Sequence, residues 1–159
     1  MNLLLAIDES AAAELAIEAV QARPWPNDTR LRVLSVAPQM LGMSVAGVPV
    51  AGSSGTMSPL LEADQVEAQN ILLDQARMLA ERTCSRLSQH LPCEPRWRLG
   101  TAGVEIVSEA EAWPADLIVL GSRGLGAIKR ALLGSVSTHV LHHAPCSIEV
   151  VRARASDRA

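Results

Sequence analysis

The run Leu117-Ile118-Val119-Leu120, led in by Asp116 and closed by Gly121-Ser122-Arg123-Gly124, constrains the fold more than any other stretch of the chain. It is apolar at every position rather than at alternate ones, so it reads as a strand buried on both faces, the condition of a parallel sheet covered by helices. The glycines that close it let the chain turn tightly and bring main chain near a ligand that a Cβ atom would hold off. Further on, Gly134-Ser135 opens a helical segment. The first N–H groups of a helix lack intrahelical partners and attract anions. The pattern points to a bound phosphate, with Gly121, Gly124 and Gly134 as its cradle.

The rest of the chain supplies what such a strand needs around it. Asn2 to Ile7 is a short apolar run followed by Asp8-Glu9-Ser10, where Ser10 is placed to cap a helix over 11–22 carrying Ala13, Ala16, Ile17 and Val20 inward. Pro24 and Pro26 break that helix, and Arg30 to Val36 reads as a second strand. Leu60 to Leu91 is one long helical pattern with Leu72, Ala76, Leu79, Thr83 and Leu87 as its buried stripe. A third strand is expected over Arg96 to Leu99, after Pro92 and Pro95 end the helix. A short helix with Ile106, Val107, Ala110 and Trp113 on one side follows Gly100-Thr101-Ala102-Gly103. After the glycine loop come a helix with Leu133, Val136 and Val140 inward and a last strand, Ser147 to Val151. Strict alternation of this kind predicts a single α/β domain over 1–151: an open five-stranded parallel sheet, doubly wound, with helices on both faces and right-handed crossovers. Ligands of such sheets bind beyond the carboxyl ends of the strands where the winding reverses, so Asp8 and Gly121 are expected to face one crevice. The Gly-, Pro- and Ser-rich stretch 37–59 is expected to be a flexible insertion loop, and 152–159 a disordered tail.

Composition removes several alternatives. A net charge of −3 and a sequence pI near 5.8 supply no basic face for nucleic acid. With no Phe and no Tyr, the core is left to Leu, Val, Ile and Ala around three tryptophans. No apolar stretch approaches the roughly 20 residues of a bilayer span. The amino terminus reaches Asp8-Glu9 too soon for a signal peptide. Cys84, Cys93 and Cys146 form no C-x-x-C pair and are odd in number, so free thiols in a reduced, cytoplasmic protein are the expectation.

The glycine pattern is neither a P-loop, since no G-x-x-x-x-G-K-[ST] occurs, nor a dinucleotide fingerprint, whose glycine spacing differs from Gly121-Ser122-Arg123-Gly124-Leu125-Gly126. It is G-x2-G-x9-G-S. Taken with Asp8 after the first strand and His143-Ala144-Pro145-Cys146 before the last, it resembles the universal stress protein family. The likeness runs through the whole order of elements and is strongest from Asp116 to Val151. That resemblance implies an adenine-nucleotide-binding regulatory domain, often a homodimer, acting in stress or signalling, and the glycine pattern is that of the branch which binds ATP. By matching positions it implies that Ala6, Ile7 and Asp8 meet the adenosine, and that Val36 touches the adenine. Gly121, Arg123, Gly124, Gly134, Ser135, Val136 and Ser137 would surround the ribose and phosphates, with Mg²⁺ among the latter. Beside Gly100, where members often carry an acidic residue, this chain has Thr101 and Ala102.

Each of these positions also has a plainer reading. Ser135 and Ser137 fit helix capping as well as phosphate contact, and Asp8 fits capping of the first helix. Arg123 is the cation favoured to offset phosphate charge, whereas Lys129 and Arg130 read as a solvated helix face. His139, His143 and Cys146 fall close together but lack a fourth zinc ligand, which favours packing or capping. Met40, Met43 and Met57 read as loop packing. No nucleophile, base and orienter stand together, so at most slow ATP hydrolysis is expected. The alternative to an ATP-binding module is a dimeric interaction protein of the same fold that pairs through the edge of its last strand and binds no nucleotide.

Overall fold

The structure, a computed structural model, describes residues 1–39, 59–122, 124 and 133–152. Strand β1 (Asn2–Ile7) leads to helix α1 (Ala11–Ala22), β2 (Arg30–Pro38), α2 (Pro59–Leu87), β3 (Cys93–Gly100), α3 (Ala102–Ala112), β4 (Leu117–Gly121), α4 (Ser135–His143) and β5 (Ser147–Val151). All four strand pairings are parallel, in the order β3-β2-β1-β4-β5. This is the five-stranded, helix-covered sheet expected from the sequence. Most of the stretch 37–59 and of the tail after Val151 lies outside the described residues.

Residue alternation along the strands builds a core on each face. Leu3, Leu5, Ile7, Leu31, Val33 and Val119 pack with Ala13, Ala16, Ile17 and Val20 of α1 and Ala80, Cys84 and Leu87 of α2. On the other face Leu4, Ala6, Leu34, Ile118 and Leu120 meet Ile106 and Ala110 of α3 and Val140 of α4. The three strands β1, β2 and β4 lie inside the sheet; β1 and β4 read as nearly continuous apolar runs for that reason, while β2 carries the buried polar residues Arg32 and Ser35 among its apolar ones. β5 is partly buried along most of its length and forms one edge. β3 forms the other and alternates, with Trp97 and Leu99 left exposed.

Several boundaries differ from the sequence reading, among them the end of β2, which runs to Pro38 rather than Val36. α2 stops at Leu87, not Leu91, because the chain turns back there: the N–H groups of His90 and Leu91 both donate to the Leu87 carbonyl, and Leu91 drops into the core. β3 starts at Cys93, before Pro95; an edge strand tolerates proline because one of its sides has no partner to lose. Gly103 belongs to α3 rather than to the loop before it. A Cβ there would come within 2.9 Å of the His139 ring, so the glycine sets how closely α3 and α4 approach.

The expectation of three free thiols is corrected. Cys84 and Cys93 form a disulfide, with Cα atoms 5.5 Å apart, and only Cys146 is free. Their separation of nine is not a recognisable pair spacing. The reversal after Leu87 brings the last turns of α2 beside the start of β3, and that is what joins them.

A buried ionic cluster locks β2, β3 and α3 together and was not visible in the sequence. Arg32, in the interior of β2, reaches Glu109 Oε1 at 2.7 Å and Glu94 Oε2 at 2.5 Å. Arg98 Nε donates to the other oxygen of Glu109 at 2.6 Å. The Arg32 guanidinium also lies 4.2 Å from the centre of the Trp113 ring. Arg32 and Glu109 are both buried, so each depends on the other for its charge to be tolerated.

Candidate functional site

The strand order reverses direction between β1 and β4, and the two carboxyl ends there are Ile7 and Gly121. Directly after β1, Asp8 Oδ1 accepts hydrogen bonds from the N–H of Ser10, at 3.1 Å, and from the Ser10 hydroxyl. Ser10 Oγ in turn accepts from the Ala13 N–H and caps α1. The capping role open to Asp8 therefore falls to Ser10, and Asp8 braces the cap. Its second oxygen faces Gly124: a Cβ on that glycine would lie 2.7 Å from Asp8 Oδ2. The structure thus brings Asp8 and Gly124 together.

Gly121 is tightly packed. A Cβ on it would fall 2.6 Å from the Ala12 carbonyl carbon, so the missing side chain leaves room for the first turn of α1 against β4.

The start of α4 is fixed by Ser122, which the sequence reading passed over. Its N–H donates to the Val151 carbonyl at 2.7 Å, and its carbonyl accepts from the Gly134 N–H at 2.8 Å. The Ser137 hydroxyl donates towards the same Ser122 carbonyl, at 3.2 Å, and lies 3.0 Å from the Gly134 carbonyl. Ser137 is buried and its hydroxyl is engaged with main chain. Gly134 is the residue before the helix and makes no side-chain cap, while Ser135 is exposed in the first turn. The first hydrogen bond back along α4 runs from Thr138 N–H to the Gly134 carbonyl. The N–H groups of Ser135, Val136 and Ser137 are left without partners among the described residues. Open N–H groups at a helix start are the kind of donor that suits an anion. Arg123 lies outside the described residues.

The adenosine-side positions divide between the two faces. Ala6 and Val36 both belong to the face covered by α3 and α4, with Val36 partly exposed. Ile7 points the other way and is buried against α1. The structure does not bring the Ile7 and Val36 side chains to one surface; Ile7 is left with its main chain to offer. At the end of β3, Gly100 has φ +154°, and the space a Cβ would take there is filled by the Glu105 carboxylate, 2.6 Å away. An acidic group thus stands beside Gly100 after all, supplied by the first turn of α3.

The histidines are used for packing. His139 and His143 stack with centres 4.3 Å apart, and His143 Nδ1 pairs with the His139 carbonyl at 2.8 Å. Burial, and to a smaller degree Asp116, pushes the Cys146 thiol up from its ordinary value. No helix among the described residues is long and apolar enough to cross a membrane.

Against known proteins, the profile of the universal stress protein family matches residues 1–152. A universal stress protein of Synechocystis, Sll1388, is 32% identical over 156 residues, covering 95% of this chain and 97% of that protein. Among solved structures, the universal stress protein UspA of Lactobacillus plantarum superposes with a TM-score of 0.72 at 23% identity, over 96% of this chain and 97% of that one. The family protein At3g01520 of Arabidopsis thaliana, solved with AMP bound, does so with a TM-score of 0.60 at 19% identity, over 100% and 95% of the two chains. The structural likenesses speak for the fold, and the sequence matches for descent: the chain belongs to the universal stress protein family.

Proposed function

We propose that this chain is an ATP-binding regulatory protein of the stress or signalling type, with the nucleotide in the crevice between the ends of β1 and β4. The observation that carries the reading is the trio of N–H groups at Ser135, Val136 and Ser137 that have no partner among the described residues, together with the close approach of Gly124 to the Asp8 carboxylate. The phosphates would take the α4 amides, adenine would rest on the face of Ala6 and Val36, and the main chain of Ile7 and Asp8 would meet the nucleoside. Gly134 acts as the entrance to the helix, and Gly121 acts by seating α1. A Mg²⁺ ion would be held mostly by phosphate oxygens and water, as this ion prefers, since no cluster of three metal-ligating side chains stands among the described residues. The AMP bound to the Arabidopsis relative supports an adenine nucleotide on this fold. No nucleophile, base and orienter converge on the crevice among the described residues, so the same reading makes hydrolysis slow at most.

Two further parts belong to the proposal. The protein is homodimeric through β5, whose outer edge has no strand partner among the described residues and would pair with the Ser147–Val151 strand of a second copy, and it works in the cytoplasm. The edge strand equally suits an interaction module that has lost its ligand, so nucleotide binding is what separates the two readings. Saturating a site to about 100 times its Kd stabilises a domain by about 2.7 kcal/mol, which for this length raises Tm by roughly 5–11 °C. A melt with millimolar ATP and Mg²⁺ is expected to show that rise. An unchanged midpoint, together with no nucleotide released on denaturing the purified protein, would leave the interaction module as the better account.

A further inference from the structure

The edge strand β5 carries one charge in its middle, Glu149, between Ile148 and Val150. A charge at the centre of an edge strand ordinarily discourages pairing with another strand. Here it is already answered. Arg23, which ends α1, donates to both carboxylate oxygens of Glu149, at 2.7 and 2.8 Å. Its guanidinium also lies over the Trp25 ring, 5.1 Å from the centre, and the Trp25 Nε1–H donates to the Val20 carbonyl at 2.8 Å. The fork that meets Glu149 is therefore held in place by this chain alone. The direction of the β5 main chain follows from its ladder with β4. Val151 stands in register with Gly121, and its carbonyl accepts from the Ser122 N–H at 2.7 Å. Polar groups of successive strand residues turn to opposite sides, so Ser147, Glu149 and Val151 turn theirs to β4. Ile148 and Val150 turn theirs to the outer edge, which has no strand beside it among the described residues.

Given the β5 pairing proposed above, we infer that Glu149 sits on the two-fold axis of the dimer and that Arg23 is the residue that permits two copies to meet there. A two-fold at a sheet edge joins one patch to itself and sets the two strands antiparallel. Bonding both outward residues within the strand then places Ile148 of one copy opposite Val150 of the other. Glu149 falls opposite its own copy, as a pair with no hydrogen bonds between its members, the kind in which Cα atoms approach to about 4.5 Å and side chains are closest. Both carboxylates lie on the α1 side of the sheet, the side of Val119, their register partner. Like charges directly opposite disfavour pairing. With one Arg23 on each, the centre of the interface holds two ion pairs and no net charge. Arg23 is thus a specificity residue: the edge accepts a second copy of this chain and disfavours a strand that brings an acidic residue to the axis without its own cation.

Sedimentation equilibrium of the full chain tests the role of Arg23. Arg23→Gln keeps most of the stem and removes the charge, and is expected to weaken the dimer about fivefold, the effect of one opposed like-charge pair. Raising NaCl from about 0.05 to about 0.5 M should recover most of that loss by screening. Glu149→Gln in the same chain should recover it at low salt. If the ion pair only fastens α1 to β5, Arg23→Gln would lower Tm and leave the dimer constant unchanged, and that result would overturn the role. A loss that neither salt nor Glu149→Gln restores would overturn it too. The axis has its own test, with Cys146→Ser in the background. Glu149→Cys should oxidise to a covalent dimer joined at that position, because the Cα separation there suits a disulfide. Val150→Cys should not, since that position is offset along the strand from its own copy. Linkage at 150 in place of 149 would overturn the axis. A wild-type chain that stays monomeric at every concentration would overturn the β5 pairing together with its axis. A wild-type dimer indifferent to Arg23 would leave the pairing standing and remove only the role of Arg23.

Discussion

A glycine that looks like a ligand contact in sequence is sometimes a packing contact in space. Gly121 and Gly124 stand three apart in one motif, yet the atom each would strike differs: Ala12 main chain for Gly121, the Asp8 carboxylate for Gly124. Main chain in a packed helix gives way poorly, whereas a side-chain end rotates. Gly121→Ala is therefore expected to destabilise the fold by about 1–3 kcal/mol, the usual cost of overpacking, read as a lowered urea midpoint. Gly124→Ala should keep the midpoint within about 1 kcal/mol and weaken nucleotide binding instead, an outcome that titration calorimetry separates from unfolding. Equal stability losses in both variants would undo the distinction. Ser137 offers a parallel case. Its motif position suggests a ligand contact, but its hydroxyl ties Ser122 to Gly134, so Ser137→Ala should cost about 1 kcal/mol of stability, the worth of such a bond. The need for glycine at 121 and for serine at 137 was legible in the sequence; the partner was not, because Ala12 and Ser122 are brought there only by folding.

At the scale of elements, apolar periodicity carried most of the information. β1 and β4 are buried on both faces and stand out as apolar runs, and the stripe of α2 through Ala76, Thr83 and Leu87 falls inward as its spacing implies. Where the reading slipped, at the end of α2 and the start of β3, the prolines at 92 and 95 were given more weight than an edge strand allows. The same misreading hid the disulfide, which depends on the turn at Leu87. The ionic cluster was hidden for another reason: a charged residue in a strand is ordinarily taken as facing solvent, and nothing local says that Arg32 meets Glu109 on α3. Removing one member of a buried pair leaves the other unpaired, so Glu109→Ala is expected to cost about 3–5 kcal/mol. Replacing Glu94, which is largely exposed, should cost about 1 kcal/mol or less in the same denaturation measurement. Similar losses at both positions would mean that the cluster is not organised around Glu109.

For the molecule as a whole, the order β3-β2-β1-β4-β5 decides where chemistry is possible. It sets the ends of β1 and β4 side by side and brings Gly124 against the Asp8 carboxylate although they are far apart in sequence. It also leaves β5 at an edge. If two copies pair there, sedimentation equilibrium should give a dimer, and Val150→Pro, which removes a strand N–H and its hydrogen bond, should shift the population to monomer. A monomer at every concentration would dispose of the pairing. The most direct test of the central claim is a titration of isotope-labelled protein with ATP and Mg²⁺, followed by amide NMR. The account predicts that the backbone signals of Ser135, Val136 and Ser137 move furthest, in a saturable manner, with Gly124 moving alongside them. Saturable binding that leaves those three amides where they were would contradict it.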